Sequence, residues 1–280
     1  MKKQFALMMI LVLVLSAFVM GCSSGSVDGE GDNNGNQSEE EDLSLEKIKD
    51  AGVFIVGLDD SFAPMGFRDE AGKLVGFDID LAKATIEKLG VEAEFKPIDW
   101  NSKELSLETG EIDCIWNGFS ITPAREKEVL FSKPYLSNRQ IIIVLADSDI
   151  TSKEDFADRV VGAQINSSGL HALEADTAVM EVLKEIKEYD TYPEAFLDME
   201  AGRIEAIVVD EVYGKYYISK KPGTYKVLDD DFGTEDYGIG FRMKDKALKA
   251  EIDKIMDELK ADGTTAKISE EWFGEDIVLK

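Results

Sequence analysis

The sequence is poor in several residue types, and each shortage closes off a class of function. One histidine and two cysteines in 280 residues leave no Cys/His cluster from which a zinc-type site could be built, so no metal and no cofactor is expected. The two cysteines also sit in unlike surroundings, because Cys22 follows an apolar run whereas Cys114 falls in a stretch that reads as a core strand. No disulfide between them is expected, and Cys114 reads as a small buried hydrophobe. Basic residues are scarce, 31 Lys and Arg against 57 Asp and Glu, for a formal charge of −26. A nucleic acid or an anionic membrane surface needs clustered cations to neutralise its phosphates, so neither is an expected partner. The apolar run over residues 5–20 is shorter than the roughly 20 residues that a membrane span needs.

What is present begins with a leader. Lys2 and Lys3 precede that apolar run, so residues 1–21 read as a signal peptide. Val19-Met20-Gly21-Cys22 resembles a lipoprotein cleavage box, which implies that Cys22 is acylated and becomes the mature N-terminus; the other reading is an uncleaved N-terminal anchor. Residues 22–42 are mostly Ser, Gly, Asn and acidic residues. Such a segment buries too little apolar surface to offset the entropy of ordering, and its like charges keep it extended, so it reads as a disordered acidic tether. The expected location is extracytoplasmic, lipid-anchored to the cell membrane.

Beyond the tether, strand and helix signals alternate over a length sufficient for two lobes of about 100 residues each. Residues 53–56 read as a strand, residues 77–89 as an amphipathic helix with Phe77, Leu81, Ala82, Ile86 and Leu89 on one face, and residues 91–95 as a second strand. A helix through Leu105 and Leu107 leads to a central strand at Ile112. The pattern then repeats, with strands at 141–144 and 160–163, a helix from Ser167-Ser168 through Leu173 and Val179, and a strand at 206–209 that runs into Asp210. Helices at 246–259 and 265–272 close the chain. This is an α/β pattern with parallel pairing expected.

The most informative stretch is Cys114-Ile115-Trp116-Asn117-Gly118-Phe119-Ser120-Ile121-Thr122-Pro123-Ala124-Arg125. It reads as a buried strand, a loop, and the first turn of a helix capped by Thr122 with proline at its first position. Free backbone N–H groups, the hydroxyls of Ser120 and Thr122, and the forked donors of Arg125 could converge there on one anion, such as a carboxylate. An arginine in a first helical turn is ordinarily a solvated or salt-bridged surface residue. The α/β pattern favours the functional reading, since ligands of open α/β sheets bind at the carboxyl ends of strands.

Six segments resemble a known family. They are Gly57-Leu58-Asp59-Asp60-Ser61-Phe62-Ala63-Pro64, Val75-Gly76-Phe77-Asp78-Ile79-Asp80-Leu81-Ala82, Gly110-Glu111-Ile112-Asp113, Ser120-Ile121-Thr122-Pro123-Ala124-Arg125, Phe131-Ser132-Lys133-Pro134-Tyr135 and Trp272-Phe273-Gly274. In order and spacing they resemble the extracellular solute-binding proteins of polar amino-acid ABC importers, the group of the glutamine- and histidine-binding proteins. The resemblance implies a two-lobed type II periplasmic-binding-protein fold, each lobe a mostly parallel sheet flanked by helices, joined by two hinge strands. Lobe 1 would hold residues 43–137 and 237–280, and lobe 2 residues 138–236. The implied function is to bind a free L-amino acid, polar or basic, in a cleft that closes around it. The implied partners are that amino acid and the permease subunits of an ABC transporter, for a protein expected to be a monomer and not an enzyme.

The resemblance also implies roles. Arg125, Ser120 and nearby N–H groups would take the ligand carboxylate, with Ser167 and Ser168 adding donors from the second lobe, and Asp210 would take the ammonium. Phe62 and Trp100 would flank the side chain and Asp59 would read its donors; Asn117, Gly118 and Gln164 are further pocket candidates. Asp60 is expected to point elsewhere. One position departs from the family pattern, because Asn166 stands where glycine usually precedes the two hydroxyl residues; asparagine tolerates left-handed backbone. Two rival readings remain: an enzyme of the same fold resembling cyclohexadienyl dehydratase, which needs a general acid over its substrate ring, and a surface sensor with vestigial ligand binding.

Overall fold

The first lobe grows from a β-α-β-α-β run in which the apolar period switches between two and 3.6 residues. The computed structural model describes residues 41–280, so the leader, Cys22 and all of the expected tether but Glu41 and Asp42 lie outside the described residues. Asp42 is not free chain: its carboxylate accepts from Ser44 N and Ala247 N, joining the first helix to the penultimate one. After α1 (Ser44–Ala51) come β1 (Val53–Leu58) and a small antiparallel sheet of β2 (Ser61–Phe62), β3 (Gly66–Arg68) and β4 (Leu74–Val75). Helix α2 (Phe77–Leu89) follows the apolar stripe residue for residue and stops at Gly90, whose φ of 86° ends it in the left-handed region. Then come β5 (Glu92–Pro97), α3 (Lys103–Glu108), β6 (Cys114–Ile115) and β7 (Val129–Phe131).

The chain crosses on β8 (Leu136–Leu145) and builds the second lobe from β9 (Val160–Gln164), α4 (Ser168–Ala175), α5 (Thr177–Met180), β10 (Glu185–Tyr189), α6 (Tyr192–Glu200), β11 (Ala206–Asp210) and α7 (Glu211–Lys220). It returns on β12 (Tyr225–Tyr237), adds β13 (Gly240–Arg242) to the first sheet, and ends with α8 (Lys246–Ala261) and α9 (Thr264–Phe273). The two sheets have the orders β5-β1-β6-β13-β7 and β10-β9-β11-β8-β12. Each is mixed, with two parallel and two antiparallel pairings, rather than mostly parallel. The reason lies in the crossings: β8 and β12 run in opposite directions side by side, with Leu136 facing Tyr237 and Asn138 facing Glu235, so each lobe must accept a strand coming the other way.

Three local expectations are corrected. No α-helix follows Thr122; there is only a short 3-10 turn at Arg125–Lys127, because β7 claims the chain immediately afterwards to pair with β13. Thr122 still caps that turn, its hydroxyl accepting from Arg125 N at 3.2 Å. The central strand starts at Cys114, not Ile112, since the Asp113 carboxylate takes the N–H of Ile55 that a strand partner would otherwise take. The helix from Ser168 breaks after Ala175, where Asp176 caps a second short helix by accepting from Val179 N. Elsewhere the apolar stripes do what their period implies: Leu248, Ile252, Ile255 and Leu259 of α8 are all buried, each contributing about 1.5 to 3 kcal/mol of burial.

Candidate functional site

All eleven candidate residues line one cavity between the lobes: Asp59, Phe62, Trp100, Asn117, Gly118, Ser120 and Arg125 from one side, Gln164, Ser167, Ser168 and Asp210 from the other. Strand ends place them, as parallel pairing demands. Asp59 follows β1, Asn117 and Gly118 follow β6, Gln164 ends β9 and Asp210 ends β11. The cavity is about 10 Å³, room for roughly one water, so any larger occupant requires the lobes to part.

Arg125 is 5% exposed, and its guanidinium has no acidic side chain within salt-bridge distance among the described residues. Nη1 donates to Ser120 O at 3.1 Å, Nη2 crosses to Asn166 O at 3.2 Å, and the fork lies 4.5 Å over the Phe119 ring. Its Nε is buried with no partner among the described residues, and burial pushes the arginine's pKa down. A buried guanidinium with spare donors is costly unless an anion meets it. Asn166 takes the left-handed conformation, φ 53°, that its place in the loop suggested. Its carbonyl also accepts from Lys103 Nζ at 3.0 Å, and burial lowers that lysine to about 8.

Across the cavity stands an acidic network. Asp210 is fully buried, and burial together with the Glu235 charge pushes its carboxyl up to about 7. Its Oδ1 accepts from Tyr237 OH at 2.6 Å, Asn138 Nδ2 at 2.7 Å and Gln140 Nε2 at 3.0 Å. The same two amides donate to Glu235 Oε1, at 2.9 and 2.7 Å, and Ser120 Oγ donates to that oxygen at 2.5 Å. Ser168 Oγ lies 2.8 Å from Ser120 Oγ, while Ser167 Oγ is engaged as the N-cap of α4, accepting from Leu170 N at 3.0 Å.

At the side-chain end, Asp59 accepts from Ser61 N and Oγ on one oxygen and from Gln164 Nε2 on the other, at 2.7 Å across the cleft. Burial pushes its carboxyl up, against the pull of those hydrogen bonds. Asp60 instead pairs with Arg68, away from the cavity. Phe62 stacks on Tyr213 of the other lobe at 5.2 Å, and Trp100 meets Phe119 edge-on at 5.9 Å, so the two rings that line the cavity are each backed by another ring. Asn117 Oδ1 accepts from Asp59 N, leaving its buried Nδ2 without a partner. Gly118 has φ 57°, and a Cβ there would sit 2.9 Å from the Phe62 ring. Its N–H donates at 2.7 Å to Asp78, a buried carboxyl that burial raises to about 7.

Sequence reasoning missed Glu235, Asn138, Gln140, Lys103 and Asp78. Asn138 and Gln140 carried a signal, two polar residues at period two leading into the apolar run 141–144, with one face turned to the site. Asp78 lies in the Gly76-Phe77-Asp78 segment that carries the family resemblance. Glu235 carried none, lying in an acidic stretch that reads as solvated surface.

Residues 54–275 match the model of the bacterial extracellular solute-binding proteins, family 3. The chain belongs to that family. A relative, the L-cystine-binding protein TcyJ of Escherichia coli, is 30% identical over 83% of this chain and 87% of its own length. Among solved structures, an ABC uptake transporter substrate-binding protein from Streptococcus pneumoniae with bound histidine is 37% identical, with a TM-score of 0.81 over 85% of this chain and 99% of that one. An ancestral amino acid-binding protein, a precursor of cyclohexadienyl dehydratase, is 34% identical with a TM-score of 0.76, covering 82% of this chain and 99% of its own. The architecture is thus the type II periplasmic-binding-protein fold of family 3 proteins.

Proposed function

We propose that this family 3 protein binds a free amino acid between its lobes outside the cytoplasm and hands it to the permease of an ABC importer. The carrying observation is the pairing of opposites in one cavity: an arginine buried without an acidic partner among the described residues, facing a buried aspartate, which is the complement of a zwitterion. Arg125 and the N–H groups opening α4 receive the carboxylate, and Asp210 receives the ammonium. Asp59 and Gln164, beside Phe62 and Trp100, meet the side chain, which favours polar or basic ligands over aliphatic ones that leave a buried carboxylate unpaired.

A thermal-shift screen over the twenty amino acids plus ornithine, citrulline and cystine tests the reading. A ligand at 100 times its Kd adds about 2.7 kcal/mol of stability, and no stabilisation by any of them rejects it. The protein is not an enzyme in this reading, since Asp59 and Asp210 are both taken up by the ligand's own donors, and its similarity to an L-cystine-binding protein and to a histidine-bound substrate-binding protein supports a binder. Turnover of a cyclohexadienyl acid would reverse that. Anchoring through acylated Cys22 completes the proposal, and Cys22→Ser is expected to abolish fatty-acid labelling; a wild-type protein that takes up no label refutes the anchor.

A further inference from the structure

Glu235 sits half-buried on the returning strand β12, where that strand pairs with β8, and its carboxylate stands directly behind the cavity wall, on the hydroxyls of the lining residues Ser120 and Ser168. One oxygen, Oε1, gathers donors from the strand and from both lobes: Ser120 Oγ at 2.5 Å, Gln140 Nε2 at 2.7 Å, Asn138 Nδ2 at 2.9 Å and Ser168 Oγ at 3.1 Å. Both amides also serve Asp210 Oδ1, so two carboxylates share two donors. A side-chain amide can bridge like charges but cannot neutralise them.

The hydroxyls complete the picture. Ser120 has one proton, and the short contact to Glu235 uses it, so its free lone pairs can only accept. Ser168 Oγ accepts from Gln140 Nε2 at 3.1 Å and turns its own proton toward Ser120 or Glu235. Neither hydroxyl is then set to donate to a ligand carboxylate, the role the resemblance gave them. An ammonium group has three donors and no acceptor, and it is the partner these acceptors match.

We propose that Glu235 is a further binding residue of this site, forming with Asp210 a two-carboxylate seat that, with the Ser120 hydroxyl, receives a ligand ammonium group. The inference deepens the amino-acid-binding reading and rests on it. The charged and titratable groups facing Asp210 are Glu235 and Tyr237 from the end of β12, Tyr192 from α6, and Arg125 from the opposite lobe. Of these, Glu235 is the like charge that ligand ammonium relieves.

The test uses the full chain with arginine as the probe. Carbon-detected NMR of protein labelled at aspartate carboxyls follows Asp210; in Glu235→Gln its midpoint is expected to fall by about one pH unit, the size of losing a nearby like charge. An unmoved midpoint overturns the pair. Calorimetry on the same variant is expected to show arginine bound about tenfold to a hundredfold more weakly, while the des-amino analogue of arginine keeps its affinity within about twofold. Equal losses for both ligands overturn the seat, because Glu235 would then act only on the fold. If the variant does not fold, the wild type carries the test: arginine binding between about pH 6 and 7, compared in buffers of different ionisation enthalpy, must release protons, and none released overturns it. A wild type that binds no amino acid rejects the proposed function, while the NMR midpoint still decides the carboxylate pair.

Discussion

Arg125 is a costly place to keep a charge, since burial removes its water and no acid among the described residues replaces it. Removing it should spare the fold and destroy binding. Arg125→Ala is expected to weaken ligand by about two to four decades, the equivalent of the roughly 3 to 5 kcal/mol lost when one side of a buried charge pair goes, with its melting temperature unchanged or raised. Calorimetry decides it, and an affinity within threefold of wild type would refute the carboxylate role. Asp59→Asn keeps the shape and the Ser61 contacts but drops the charge, so a cationic ligand should lose more affinity than a neutral amide, about 1.5 to 3 kcal/mol against roughly 1. An unchanged ranking of arginine and glutamine would mean that another group reads the side chain.

At the scale of elements, the loop after β6 is held from below. Asp78 in the first turn of α2 accepts from Gly118 N at 2.7 Å and from Tyr135 OH at 3.1 Å, so one buried carboxyl ties helix, binding loop and the start of the crossing strand together. Burial raises it from its ordinary 3.8 to about 7. A carboxyl whose folded pKa is raised holds its proton more tightly when folded, so its contribution to stability is present below about pH 4 and is lost as pH rises to about 7. Asp78→Asn can still accept from Gly118 and removes the titration. Its denaturant stability should therefore fall less than that of wild type between about pH 5 and 8; parallel curves for the two proteins would show that Asp78 does not titrate there. Thr122-Pro123 carries a true cap signal, but the ladder of β7 with β13 leaves no length for a helix to grow.

For the whole molecule, the lobes meet across the cleft through Gln164 on Asp59, Ser168 beside Ser120, and Lys103 and Arg125 on the Asn166 carbonyl. A cavity of about 10 Å³ cannot admit an amino acid unless these contacts part. β8 and β12 are the connections on which the lobes can swing, and ligand contacts from both sides favour closure. X-ray scattering should show a smaller radius of gyration at saturating ligand than without it. Identical profiles, with the ligand shown bound by calorimetry, would sink the hinge.

Much was settled by the chain alone. The stripe of α2, the strands into Asp59 and Asp210, and the capped loop at Arg125 are local signals, written in periods of two and 3.6 and in cap residues, and local energetics suffice to produce them. Charged groups at strand ends followed from topology, because parallel strands deliver their carboxyl ends to one edge. Glu235, Asn138 and Gln140 had to wait for the tertiary structure. Their place depends on the register of two strands nearly 100 residues apart in sequence, Asn138 opposite Glu235, and nothing local in an acidic stretch says which carboxylate will be drawn inward. The raised pKa of the Asp210 carboxyl belongs with them, since burial and a like charge act only once the chain has folded around both.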